Sequence, residues 1–178
     1  MEFTSPGCGC AVELTELFRT SFAASEGEAE GEAIATLVSR LSRAIDAERV
    51  FCFGAVEDHA LVAAIFFTEL VFAAEVRVFM LAPVAVLPSC QRRGIGQALI
   101  RSGLDAIQQR GVEIAVTYGD PAFYGKVGFL PLPESILRAP MPLSMPRGWL
   151  GQSLTGKPIP TLNDRPTCVA AFQDPHYW

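Results

Sequence analysis

The stretch Leu81 to Arg110, LAPVAVLPSCQRRGIGQALIRSGLDAIQQR, limits what this chain can fold into more than any other. Phe79 to Leu87 is apolar almost throughout, the composition of a strand covered on both faces. Pro88 ends ladder bonding, because it has no N–H to give. Beyond the turn, Leu99, Leu104 and Ile107 fall on one helical stripe, with Ile100 at its edge, and Gly111 supplies a stop. Glu113 to Tyr118 (EIAVTY) reads as the next strand. Strand, helix and strand in this order predict a right-handed parallel βαβ unit.

The turn inside that unit is Gln91-Arg92-Arg93-Gly94-Ile95-Gly96. Two glycines let the backbone approach a ligand closely. A helix starting near Gly96 aims free N–H groups and its positive dipole end at the loop. Arg92 and Arg93 add positive charge. Together these suit a pyrophosphate. The same residues also make an ordinary turn with soluble arginines, and a lone G-x-G does not decide between the two.

The rest of the chain supplies the frame. Val12, Leu14, Leu17, Phe18 and Phe22 predict a first helix over Val12 to Ala24. Ile34, Leu37, Val38, Leu41 and Ile45 form the buried stripe of a second. Ser25 to Glu32 between them reads as a solvated acidic loop running into a helix start, where carboxylates favour the dipole, or as an acidic rim that attracts an amine. Val50 to Val56, Leu61 to Phe72 and Val76 to Leu87 read as three strands. Turns at Asp58-His59 and Ala73 to Glu75 join them into an antiparallel meander. The expected class is therefore α/β with a mixed sheet, antiparallel first and parallel later. Asp120-Pro121 is an N-cap followed by Pro at the first helical position, opening a short helix through Lys126. From Pro131 onward, prolines break the chain into loops and edges, and Thr167 to Phe172 reads as a closing strand. The expectation is one domain over residues 1–178. Residues 1–10 fray in it, and 131–178 form a substrate-side segment. Edge strands after Phe129 could pair between subunits, giving a homodimer.

Composition excludes several functions. The formal charge is −5, which argues against a nucleic-acid surface and mildly favours cationic or amine substrates. The longest apolar run, Leu61 to Phe67, falls far short of the ~20 residues that span a bilayer. The first ten residues lack the basic and apolar regions of a signal peptide. A soluble cytoplasmic protein without membrane partners is expected. The five cysteines stand at 8, 10, 52, 90 and 168, with no zinc spacing, so no metal is expected. Cys52 lies in an apolar run and reads as a small hydrophobe. Cys90, beside the basic loop, reads as a loop residue or as a reactive thiol.

Two motifs in order carry a resemblance. VAVLPSCQRRGIGQAL, with Q-x-x-G-x-G directly after a strand, resembles the acetyl-CoA loop of the GNAT N-acetyltransferase superfamily. YGDPAFYGKVGF, Tyr118 to Phe129, resembles its second motif, an aromatic helix ending in Tyr-x-x-x-Gly-Phe; the G-D-P-A-F-Y form is similar to the YhbS-like branch. The resemblance covers residues 76–130 well and the C-terminal third weakly.

What it implies is specific. The fold would be that of the acyl-CoA N-acyltransferases. The parallel strands would splay at a bulge before the loop and admit the co-substrate acetyl-CoA. The backbone of Val84, Ala85 and Val86 would pair with pantetheine amides. Gln91, Arg92, Arg93, Gly94, Ile95, Gly96 and Gln97 would form the cofactor loop, the N–H groups of Arg92 through Gln97 holding the pyrophosphate. A backbone N–H near Val86 would face the thioester oxygen. Tyr124, four residues before Gly128, would be the general acid to the leaving thiolate; by position alone it is equally a packed aromatic.

No base is assigned. Many family members place a carboxylate where this chain has Met80 or Thr117. Glu69, Glu75 and Asp120 remain, Asp120 being better explained as an N-cap. His59 reads as a turn residue and His176 as part of a frayed tail. The acceptor is a small-molecule or peptide amine. Two other readings compete: a non-catalytic acyl-CoA-binding sensor, and a dinucleotide-binding domain. The last fits poorly, because Leu99 stands where G-x-G-x-x-G needs its third glycine.

Overall fold

A computed structural model describes all 178 residues, Met1–Trp178. Its elements are β1 (Glu2–Thr4), α1 (Ala11–Glu26), α2 (Glu28–Arg43), β2 (Val50–Glu57), β3 (Ala60–Leu70), β4 (Val78–Val86), α3 (Ile95–Gln108), β5 (Ile114–Tyr118), α4 (Pro121–Tyr124), β6 (Leu130–Pro131) and β7 (Trp149–Ser153). The strands form one seven-stranded sheet in the order β1-β2-β3-β4-β5-β7-β6. β4 and β5 are parallel, while β7 runs antiparallel to both β5 and β6. The class is the mixed α/β one that periodicity predicts.

By compactness the chain divides into Met1–Phe67 with Pro83–Gly103, and Thr68–Ala82 with Leu104–Trp178. In the first unit, Leu14, Leu17 and Phe18 of α1 and Leu37, Val38 and Leu41 of α2 are buried. The Phe18 ring lies 5.8 Å from that of Phe66. Each such side chain contributes about 1.5–3 kcal/mol of burial, so these stripes fix the helices more firmly than their modest propensities do. Asp58 and His59 both have positive φ, 50° and 64°, the geometry of a two-residue hairpin whose twist matches its strands.

In the second unit, Phe79, Met80, Ala115, Val116, Phe129 and Trp149 are buried. Trp149 donates its indole N–H to Leu137 O at 2.9 Å.

Several expectations change. Residues 1–10, expected to fray, carry β1, which pairs antiparallel with β2 from Glu2↔Val56 to Thr4↔Gly54. The loop expected within Ser25 to Glu32 shrinks to Gly27, which alone separates α1 from α2, while the expected helix start holds: Glu28 and Glu30 sit in the first turn of α2, where carboxylates favour the dipole. Thr167 to Phe172 is not a strand. Thr167 makes one bridge to Val71, and Ala170–Phe172 is a 3-10 turn. The C-terminal tail does not fray either. Trp178 is 5% exposed, donates its indole N–H to Phe172 O at 2.8 Å and stacks beside Tyr118. Aromatic area outweighed the usual mobility of a terminus. The Pro-rich segment holds β7 at its centre, because Trp149–Ser153 is its longest proline-free run of strand formers and pairs along all of β5.

Candidate functional site

β4 is where the site begins. Its ladder with β5 runs from Val78↔Ile114 to Leu81↔Thr117 and ends there. β4 itself continues to Val86. Burial tracks this change: Val78 to Leu81 are buried without a break, whereas Ala82 to Val86 alternate between partial and full burial. The Leu81 carbonyl faces β5, accepting from the Thr117 hydroxyl at 2.8 Å. The Leu87 N–H faces β3, donating to Val62 O at 2.9 Å. In a regular strand, backbone groups of residues six apart face the same neighbour. Leu87 lies just past the end of β4, and Pro83, which has no N–H, stands in the part of β4 beyond the β5 ladder.

Val86 is the last residue of β4. Its carbonyl accepts from Ser21 Oγ at 3.2 Å and Gln91 Nε2 at 3.0 Å. The single Ser21 proton is shared with Leu17 O, nearer at 2.8 Å, so Gln91 is the firmer hold on this peptide, and a strand residue's own N–H points the same way as its carbonyl. Ser21 sits on the apolar stripe of α1 after Leu14, Leu17 and Phe18 and is 5% exposed. Sequence reasoning missed it. A lone hydroxyl at a stripe position was the available signal.

After a 3-10 turn at Pro88–Cys90, the loop passes through Arg92 (φ 61°) and Gly94 (φ 77°), with Arg93 between them on the negative side. Alternation of this kind turns successive N–H groups toward one concave side, a backbone anion nest. Gly94 meets no steric barrier to its φ, whereas Arg92 holds its φ at some cost. α3 begins at Ile95, and its first intrahelical bond is Ala98 N–H to Gly94 O at 3.0 Å. The N–H groups of Ile95, Gly96 and Gln97 are the orphan donors of a 14-residue helix. The loop can hold a diphosphate by backbone alone.

The arginines divide. Arg93 grips Glu57 with both guanidinium arms, at 2.8 and 2.7 Å. This hydrogen-bonded contact holds the Glu57 carboxyl below its ordinary range. The Arg93 charge expected for the loop is thus already engaged; its backbone N–H is what it offers. Cys90 is buried, 9% exposed, beside Ser89 Oγ at 3.7 Å, so its thiol is covered.

Tyr124 closes α4. Asp120 caps this helix, accepting from the Ala122 N–H at 2.8 Å as the sequence suggests. The phenol ring packs edge-on to Phe123 and Phe129, 5.0 and 5.9 Å between centroids. It lies directly over Gly119, where a Cβ would come within 2.7 Å of Tyr124 Cε2. Burial pushes the phenol up to about 12; a hydrogen bond with Thr117 pulls it back, and the Asp120 charge adds to the rise. The Thr117 hydroxyl itself donates to Leu81 O at 2.8 Å, and no carboxylate stands at position 117. Sequence reasoning saw Thr117 only as a missing carboxylate.

Comparison with known proteins adds three findings. A family model described as "Acetyltransferase (GNAT) domain" matches residues 11–131. The Escherichia coli K12 protein named uncharacterized N-acetyltransferase YjhQ is 32% identical over 111 residues, 59% of this chain and 61% of that one. The match to E. coli YhbS, also named an uncharacterized N-acetyltransferase, is 39% over 49 residues, 29% of its length. The chain therefore aligns with less than two thirds of either relative. Among solved structures, E. coli YhbS in complex with CoA superposes with a TM-score of 0.71 at 22% identity, over 86% of this chain and 81% of that one. A Brucella melitensis GNAT acetyltransferase in complex with acetyl-CoA gives 0.70 at 25% identity, over 96% and 97%.

Proposed function

The chain belongs to the GNAT acetyltransferase family, and on that premise we propose that it moves the acetyl group of acetyl-CoA onto a primary amine by direct attack, with Tyr124 as general acid to the CoA thiolate. The observation that carries the reading is the end of β4: a strand edge beyond its β5 ladder, running directly into a backbone nest and a helix N-terminus. The ligands of the YhbS and Brucella structures support the choice of acetyl-CoA.

In this reading the peptides of Val84, Ala85 and Val86 pair with pantetheine amides. The N–H groups of Arg92 to Gln97 hold the diphosphate. Ser21 and Gln91 hold the Val86 peptide so that its N–H meets the thioester oxygen, where a fixed donor is worth most. The thioester supplies an activated acetyl group; this chain's residues bind it, orient it and move one proton. That proton leaves Tyr124 Oη for the sulfur as the carbon–sulfur bond breaks. A phenol near 12 is a weaker acid than a free thiol near ~8.5, but the same burial also disfavours a bare thiolate. The proton is thus kept until the sulfur carries charge. No side chain is assigned as base: an acceptor that arrives as the free amine gives one N–H proton to solvent as the amide forms, and solvent returns a proton to the Tyr124 phenolate. The acceptor is a small-molecule or peptide amine, which the net charge of −5 favours. A cytoplasmic setting is part of the proposal and suits five unpaired cysteines.

The test is calorimetric titration with acetyl-CoA, with NAD as control. Binding at about micromolar Kd, or roughly −8 kcal/mol, is expected for acetyl-CoA alone. Gly94→Val, which puts a branched side chain at φ 77°, should abolish it. No heat with either acetyl-CoA or CoA overturns the reading.

A further inference from the structure

Glu57 is the last residue of β2, and Arg93 is the central residue of the backbone nest, 36 positions further along the chain. Arg93 donates from Nη1 to Glu57 Oε2 at 2.8 Å and from Nη2 to Glu57 Oε1 at 2.7 Å. This is the two-armed contact in which a guanidinium and a carboxylate match best. We propose that Glu57 is the positioning residue of the diphosphate loop. By clamping the Arg93 guanidinium it holds the backbone of Arg92 to Gly94 in its ligand-ready shape, and Arg93 serves as the partner of Glu57 rather than as a cation laid on the phosphates. This rests on the reading of the loop given above.

The loop needs such a hold. Arg92 has φ 61° and Gly94 φ 77°, and a residue with a side chain keeps the first of these only when its surroundings enforce it. Hydrogen bonds fix the two ends: Gln91 Nε2 donates to Val86 O at 3.0 Å on one side, and the Ala98 N–H donates to Gly94 O at 3.0 Å on the other. Between them the Arg93 side chain ties the loop to the sheet. Glu57 is a firm anchor, because β2 has a strand on either side, β1 and β3. Charge points the same way. An unpaired carboxylate beside this loop would repel a diphosphate. Paired, Glu57 and Arg93 add no net charge, and the attraction for anions is left to the backbone N–H groups and to the exposed Arg92. Stability alone does not account for the contact. Half of the Arg93 side chain is exposed and 28% of that of Glu57, and ion pairs in such settings add little to folding.

The test is calorimetric titration of acetyl-CoA into wild type, Glu57→Gln, Arg93→Lys, Arg93→Glu and the exchanged pair Glu57→Arg/Arg93→Glu, with the urea midpoint of each protein. Glu57→Gln and Arg93→Lys should each weaken binding about tenfold, the effect of a ligand-ready loop populated about a tenth of the time, while the urea midpoint stays at the wild-type value. Arg93→Lys keeps the charge and loses the fork, so its loss reads the grip apart from the charge. Arg93→Glu sets two carboxylates against each other and should abolish binding. The exchanged pair should bind about tenfold more tightly than Arg93→Glu, or better. Tighter binding in Glu57→Gln, or an exchanged pair as weak as Arg93→Glu, would mean that Arg93 acts on the phosphates directly, and overturns the role of Glu57. Wild-type affinity in either Glu57→Gln or Arg93→Lys overturns it too, whether or not the urea midpoint falls. If Arg93→Glu does not fold, the direction of the change in Glu57→Gln decides. No binding by wild type overturns the reading of the loop itself, and this inference with it.

Discussion

Tyr124 carries two consequences of its burial. Its phenol is raised to about 12, above the ordinary value near ~10. The group is neutral when protonated, so folding favours the protonated form. The associated stability is complete below about pH 10, where the unfolded phenol is also protonated, and is lost as pH climbs toward 12. The urea midpoint should therefore fall between about pH 9 and pH 11, and fall less in Tyr124→Phe. Equal losses in both proteins would show that the phenol is not held as described. The same residue marks how far sequence reading reaches. The Tyr-x-x-x-Gly-Phe spacing singled out Tyr124, but not what its ring rests on: Gly119, at the turn from β5 into α4, is covered by the ring. Only the folded turn brings that glycine into the same account.

At the scale of elements, the turn from β5 into α4 is tighter than it looks. The Tyr124 ring occupies the space a side chain at Gly119 would fill, with 2.7 Å from the added Cβ to Cε2. Gly119→Ala should push the ring aside. Turnover should drop about 10- to 100-fold, as misplacement by about 1 Å does, while acetyl-CoA affinity and folding persist. Unaltered turnover would separate Tyr124 from the chemistry. β4 and α3 were legible because each combines a period with a stop signal, Pro88 and Gly111, and the first two helices because each carries a buried stripe at helical spacing. A bulge before the loop was expected only through the resemblance. Periodicity did not show the change of neighbour along β4, from the β5 ladder at Leu81 to the Ser21 and Gln91 side chains at Val86, because it carries no record of neighbours. β7 was hidden for a related reason, since a five-residue strand among prolines has too little pattern to stand out until β5 offers it an edge.

For the whole molecule, the C-terminal residues matter beyond their position. Trp178 stacks beside Tyr118, 6.5 Å between rings, and lies 6.3 Å from the Trp149 ring. Trp178→Ala should cost about 3–5 kcal/mol, the range for deleting a buried tryptophan, read as a lower urea midpoint; a change under about 0.5 kcal/mol would mean the tail is only a surface contact. No helix is long and apolar enough to cross a membrane. The two compact units are each made of two separate stretches, and the chain passes between them after Phe67, Ala82 and Gly103. A ribosome delivers such a chain in order. By the time Gly103 has emerged, every residue of the first unit exists, including the end of β4 and the loop with its positive-φ Arg92 and Gly94. The second unit waits longer: β7 must be inserted beside β5, and Trp178 packs after it. The anion nest can therefore be complete on a nascent chain before Tyr124 has been translated, so a ligand for the nest could meet this protein before its second unit exists.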